Sequence, residues 1–132
     1  MAVNVLIADD AELMRKAIRK LLSGHEDISI VGEASNVADT LDKINELRPD
    51  VVVIDVSMTE KYAASLQWAC NRSKLLAISF ADDQQAGELA HKIGASKLLD
   101  KMKLTEQLVP TIRQIALGGT PSPALGTFPT LN

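Results

Sequence analysis

Five polar side chains stand where apolar runs stop. Asp9 and Asp10 follow the run Val3–Ala8, Asp55 follows Val51–Ile54, Ser79 ends Leu75–Ser79, and Lys101 comes just after Lys97–Leu99. Brought together, three carboxylates, one hydroxyl and one ammonium make an anionic, oxygen-rich site with a single positive group. Two like charges about 4 Å apart repel by roughly 1 kcal/mol even in bulk water, and by more where solvent is excluded. Such a cluster needs a cation, or carboxylates that keep a proton. Hard oxygen donors without Cys or His suit Mg²⁺, which binds through a few carboxylates and keeps several waters. A hard cation beside an exposed aspartate points to phosphoryl chemistry: metal and lysine offset charge while a carboxylate oxygen attacks phosphorus. Each residue has a plainer reading by itself. An Asp-Asp pair before a helix is an N-cap with a favourable dipole contact; Asp55 is a turn residue, Ser79 a cap, Lys101 a solvated charge. Their shared placement selects the chemical reading.

That placement depends on the elements that carry the five. Val3–Ala8 is long enough for a strand and too short for a helix. From Ala11 the period changes: Met14, Ala17, Ile18, Leu21 and Leu22 form one helical stripe, with Arg15, Lys16, Arg19 and Lys20 facing water, until Ser23-Gly24. Ile28–Gly32 predicts a second strand. Asn36 is placed to N-cap a helix over Val37–Leu47 with Val37, Leu41, Ile44 and Leu47 inward, stopped by Pro49. The unbroken β-branched run Val51–Ile54 suits a strand buried on both faces. A short, weakly patterned helix over Tyr62–Cys70 follows, then the strand Leu75–Ser79. Asp82 or Asp83 would cap a helix reaching Ile93, with Ala86, Leu89, Ala90 and Ile93 inward and Gly94 as terminator. Lys97–Leu99 predicts a weak fifth strand before a helix ending near Leu117. Pro110 complicates that helix, since an interior proline costs about 3 kcal/mol; either the regular helix starts near Pro110 or its first turn is distorted. The pattern is strand-helix five times, which implies a parallel sheet with helices on both faces and function at the carboxyl ends of the strands.

Composition narrows the class. At 132 residues, 46% hydrophobic and 23% charged, the chain fits one domain with a closed core. A net charge of −3 argues against non-specific nucleic-acid binding, which depends on phosphate neutralisation. A single cysteine, Cys70, excludes an internal disulfide and a cysteine-built zinc site, and a reducing cytoplasm fits best. No apolar run approaches the roughly 20 residues of a membrane-spanning helix. Gly118–Asn132 holds three of the five prolines and no periodicity, so a domain over 1–118 and a linker or tail over 119–132 are expected.

The segments LIADDAELMRKAIRKLL, RPDVVVIDVSM, LLAISFADD and GASKLLDK together resemble the receiver domain of bacterial two-component response regulators, the CheY-like proteins, over about residues 3–118. The resemblance implies a flavodoxin-like (βα)5 fold with strand order 2-1-3-4-5, an order for which CheY is a standard example. It implies that Asp55 accepts a phosphoryl group from the phosphohistidine of a sensor histidine kinase. Asp9, Asp10, Asp55 and the backbone carbonyl of Ser57 would hold Mg²⁺, Ser79 would hydrogen-bond the phosphoryl oxygens, and Lys101 would pair with them. The first helix and IALGGTPSPAL are similar to the LuxR-type branch, in which a linker leads to a helix-turn-helix output domain; no such domain lies within these residues. The resemblance implies transcription control through an output domain, and receivers of this kind can form homodimers.

Several positions depart from the family pattern. Thr59 stands where a proline usually follows the residue matching Met58, no glycine follows it before Gly87, and the stretch from Asp55 to Ser79 is several residues short, so helix 3 and its loop are expected to be trimmed. Leu98 occupies the position of an aromatic ring that swings inward in the family, so that rotamer switch cannot operate here. Small Ala81 near Ser79 would let water reach an acyl phosphate.

Three functions compete on these residues. The first is the phosphorylation-controlled receiver, which catalyses only its own phosphorylation and dephosphorylation. The second is a receiver-like interaction or dimerisation module indifferent to phosphate, motivated by Leu98 and the altered loop. The third, a small Mg²⁺-dependent phosphatase with an aspartate nucleophile on strand 1, needs a pattern like Asp-x-Asp-x-Thr where this chain has Asp9-Asp10-Ala11. No Gly-rich loop follows strand 1, which disfavours a nucleotide-binding fold. Trp68 reads as a packing or partner-facing residue, Cys70 as a small buried thiol, and His25 and His91 take no role.

Overall fold

The computed structural model describes residues 2–69, 71–80 and 84–118. The readings made for Cys70, for Ala81, for the Asp82 or Asp83 cap and for the tail over 119–132 lie outside the described residues. The order is β1 (Val3–Ala8), α1 (Glu12–Leu22), β2 (Ile28–Ala34), α2 (Val37–Leu47), β3 (Val51–Asp55), α3 (Ala63–Ala69), β4 (Lys74–Ser79), α4 (Gln84–Lys92), β5 (Lys97–Asp100) and α5 (Leu104–Ala116). The five strands are parallel and ordered β2-β1-β3-β4-β5, the flavodoxin-like arrangement expected.

Alternation along the central strands builds a core on each face of the sheet. Leu6 and Ala8 of β1, Val52 and Ile54 of β3, and Leu75 and Ala77 of β4 pack with Val37 and Ile44 of α2, Leu66 of α3 and Leu89 of α4. Val5, Ile7, Val51, Val53, Leu76 and Ile78 point the other way, against Ile18 and Leu22 of α1 and Leu108, Ile112 and Ile115 of α5. All five β3 residues are buried, as expected of an unbroken β-branched run between two neighbours.

The helix ends follow their residues. Asn36 caps α2 by accepting the Asp39 N–H at 2.8 Å. Gly94 takes the left-handed conformation, φ 75°, just past α4, where a Cβ would be strained. The α4 residues Ala86, Leu89 and Ala90, and Ile93 beyond them, are buried as the pattern required.

Four details differ from the sequence-based expectations. Strand β2 extends through Ala34, with a register shift between Val5 and Leu6 of its partner. On the two amphipathic helices the inner stripe is narrower than predicted: Ala17 and Leu47 are exposed. Arg15 does not face water, as described below. Pro110 neither starts α5 nor distorts its first turn; it is the seventh residue of an unbroken helix. The missing N–H removes a bond to the Glu106 carbonyl, and both residues lie on the exposed side, where water can serve that carbonyl. Against a cost of about 3 kcal/mol, Leu108, Ile112 and Ile115 are each fully buried, worth about 1.5–3 kcal/mol apiece. Packing outweighs propensity.

Candidate functional site

Strand register gathers the five polar residues. Ala8 pairs with Ile54 across β1 and β3, which brings Asp9 beside Asp55. Asp55 pairs with Ile78, one residue short of Ser79, and Ser79 pairs with Asp100, the residue before Lys101. All five therefore lie on the carboxyl rim of four adjacent strands. One carboxylate oxygen from each of Asp9, Asp10 and Asp55 falls within 4.8 Å of the others.

Burial divides the three acids. Asp9 is fully buried and Asp55 only 5% exposed, whereas Asp10 faces solvent. Lys101 reaches between the two buried ones: its Nζ lies 2.8 Å from Asp9 Oδ2 and 3.2 Å from Asp55 Oδ2. The lysine side chain is 4% exposed, so these are close ionic contacts with little water. One ammonium against three carboxylates leaves the cluster at −2.

Asp9 Oδ1 accepts the Ala11 N–H at 2.9 Å, which turns the chain into α1. Asp9 Oδ2 is buried and, among the described residues, accepts no hydrogen bond, its close contact being the ion pair with the ammonium. A buried, negatively charged oxygen with a spare lone pair, beside two further carboxylates, is what a hard cation requires. The donor set therefore fits a divalent ion of the Mg²⁺ kind.

Asp55 Oδ1 accepts both the backbone N–H and the hydroxyl of Ser57, each at 2.9 Å, in the 3-10 turn Val56–Met58. The Ser57 hydroxyl is a contact that sequence reasoning missed, having assigned only the backbone carbonyl; a serine two residues after an aspartate is the signal that could have found it. Ser79, 7% exposed at the end of β4, lines a small cleft with Ser57, Glu60, Gln85 and Ala86. Thr59 is buried and its hydroxyl donates to the Val56 carbonyl at 2.7 Å, closing this turn in place of the expected proline. Helix α3 is only seven residues long, in line with the trimming expected. Leu98 is half-buried against the core on the α4 side.

Two further residues brace the rim. Arg15 Nη1 donates to the Asp9 backbone carbonyl at 2.7 Å and its Nε to Glu33 at 3.1 Å, and Arg19 also pairs with Glu33. Arg15 is thus a support for Asp9 and not a solvated charge: its partner Glu33 lies on β2, 18 residues away. The Phe80 ring stands 4.8 Å from the Lys101 Nζ. Trp68 is 62% exposed, with the Arg72 guanidinium 4.8 Å above its ring.

Comparison with known proteins agrees with this geometry. Residues 5–113 match the response regulator receiver domain family. Over 56 residues, 42% of this chain and 23% of the relative, the sequence is 45% identical to the transcriptional regulatory protein BtsR of Salmonella typhi. Over 60 residues, 46% of this chain and 29% of the relative, it is 42% identical to the response regulator protein VraR of Staphylococcus epidermidis. A protein-glutamate methylesterase of Methanococcoides burtonii is 41% identical over 56 residues, 42% of this chain and 16% of that protein. These matches span from about a sixth to under a third of the relatives' lengths. The signal receiver domain of the response regulator NarL from Mycobacterium tuberculosis superposes with a TM-score of 0.79 and 28% identity, covering 89% of this chain and 98% of that one. A LuxR-family two-component response regulator from Aurantimonas sp. SI85-9A1 shares the fold, with a TM-score of 0.81 at 20% identity over 97% of this chain and 95% of that one. Four strand ends that deliver three aspartates, a serine and a lysine to one rim, on a sheet of order 2-1-3-4-5, place this chain in the receiver domain family of two-component response regulators.

Proposed function

We propose that this receiver is switched by phosphorylation of Asp55, with the phosphohistidine of a sensor histidine kinase as donor. The observation that carries the reading is the position of the Asp55 carboxylate, 3.2 Å from the Lys101 ammonium and within 4.8 Å of the Asp9 and Asp10 carboxylates. An Asp55 oxygen attacks phosphorus, the P–N bond to the histidine breaks, and the ring nitrogen keeps the electron pair. Lys101 then pairs with phosphoryl oxygens and the Ser79 hydroxyl hydrogen-bonds them. Asp9, Asp10, Asp55 and the Ser57 carbonyl oxygen would hold Mg²⁺, which supplies positive charge against the transferred group. Ser57 and Arg15 keep Asp55 and Asp9 oriented throughout.

Phosphorylation would favour a rearranged face near α4, β5 and α5 and so change affinity for a partner or for a second copy. In this reading residues 1–118 are the receiver and 119–132 the linker or tail. The protein works in the cytoplasm, touches neither membrane nor nucleic acid through this segment, and turns over no substrate beyond its own phosphate. Among the described residues no helix is long and apolar enough to cross a membrane. The LuxR-type resemblance extends the reading to transcription control through an output domain.

Acetyl phosphate or beryllofluoride with Mg²⁺ should modify the wild type, and Asp55→Ala should abolish the response. Modification that persists in that variant would remove the proposal. Two observations favour a second reading, a phosphorylation-independent dimerisation module: Leu98 leaves the α4–β5 face without its usual ring, and α3 is short. That module would keep one oligomeric state with and without beryllofluoride.

A further inference from the structure

We propose that Phe80 is a positioning residue for Lys101, holding the ammonium in place between Asp9 and Asp55 through the face of its ring. The β4–β5 register pairs Ser79 with Asp100, so the next residues, Phe80 and Lys101, emerge side by side at the rim. The ring centroid is 4.8 Å from Nζ, inside the roughly 6 Å range of a cation–π contact. The ring is 63% exposed, while the lysine side chain beside it is 4% exposed.

Lysine presents a compact charge on a flexible four-carbon stem, and its rotamer freedom must be restrained before it can act as an aimed group. Here two carboxylates compete for it, at 2.8 and 3.2 Å. Neither fixes a direction, because an ammonium can rotate its three donors toward either. The ring adds a third contact of a different kind, attractive to the cation and unable to accept a proton. A site whose charged groups are aimed before the reactant arrives spends less on reorganisation during the reaction. Phe80 supplies that aim while the phosphoryl group replaces a carboxylate as the partner of Lys101. This inference rests on the proposed phosphorylation of Asp55, and its test separates the two.

Phe80→Leu keeps an apolar side chain of similar size and removes the π face; Phe80→Tyr keeps both; Phe80→Ala removes both. Two measurements are made on the full chain. One is the rate of modification by acetyl phosphate with Mg²⁺. The other is the NMR order parameter of the Lys101 ε-methylene in unmodified, metal-free protein. Phe80→Leu is expected to slow modification about three- to tenfold, the factor that a cation–π contact represents, and to lower the order parameter; Phe80→Tyr restores both. An unchanged rate in Phe80→Leu overturns the proposal. So does a Phe80→Tyr variant as slow as Phe80→Leu, because tyrosine keeps the aromatic face and the rate would then not depend on it. Faster modification of Phe80→Ala with Phe80→Leu at the wild-type rate also overturns it, since the ring would then be a steric screen. If the wild type takes no phosphoryl group while the order parameter still separates Leu from Tyr, the phosphorylation reading fails and the positioning role stands.

Discussion

Replacing Lys101 by methionine removes the ammonium between two buried carboxylates and keeps most of the side chain's volume. Asp9 is fully buried and Asp55 nearly so, with Nζ at 2.8 and 3.2 Å. Removing one partner of a buried ion pair costs about 3–5 kcal/mol, because the remaining charge is left uncompensated. Asp10 faces solvent and opens the cluster to water, so the low end, about 3 kcal/mol, is expected. With a urea slope of about 1.5 kcal/mol per molar, the unfolding midpoint in EDTA falls by about 2 M. The cluster charge changes from −2 to −3, so Mg²⁺ should stabilise Lys101→Met more than wild type. At a hundred times the dissociation constant a bound ion adds about 2.7 kcal/mol. A second substitution supplies the check on sign: Asp9→Asn in the Lys101→Met background removes an unpaired buried charge and should raise the midpoint. Equal midpoints for wild type and Lys101→Met in EDTA, or a double variant no more stable than the single one, would refute the reasoning.

Three other outcomes follow from the same contacts. Asp10→Asn, at an exposed carboxylate, should leave metal-free stability within about 0.5 kcal/mol and weaken Mg²⁺ binding severalfold by isothermal titration; unchanged binding would separate Asp10 from the metal. Arg15→Met loses the bond to the Asp9 carbonyl and the pair with Glu33. It should cost about 1.5–3 kcal/mol in urea unfolding and also lower Mg²⁺ affinity, a combination that a solvated arginine would not produce. The Arg113 guanidinium hydrogen-bonded to Asp27 holds that carboxyl below its ordinary 3.8. The folded state then favours the charged form, so the pair contributes stability above 3.8 that is lost as pH falls through the lower folded value. Asp27→Asn should flatten that acid limb in a series of urea midpoints against pH, and an unchanged limb would rule the pair out as its source.

Much of the rim was legible because it obeys a one-dimensional rule. Apolar runs of four to six residues end in Asp9, Asp55 and Ser79, and alternation with helical stripes implies a parallel sheet, which sends such ends to one side. The residues that escaped are those whose partners are set by register or by distant chain. Arg15 sits in a run of cations on the polar face of α1, and its role depends on Glu33 of β2. Phe80 acquires its significance only because Ser79 is paired with Asp100. Pro110 was misread for a different reason: a local cost of about 3 kcal/mol says nothing of the three buried aliphatic side chains that override it on the other face of α5.

The proline in α5 also changes what that helix offers to its surroundings. Because Pro110 has no proton to give, the Glu106 oxygen one turn earlier is an acceptor without its usual internal donor, on the outward side beside the groove shared with Ala17, Leu21 and Val109. A partner helix that sealed this strip with hydrocarbon alone would strand that oxygen. Any complex formed over it must therefore bring a hydroxyl, an amide or a trapped water to the same spot, a demand that a regular helix surface would not make.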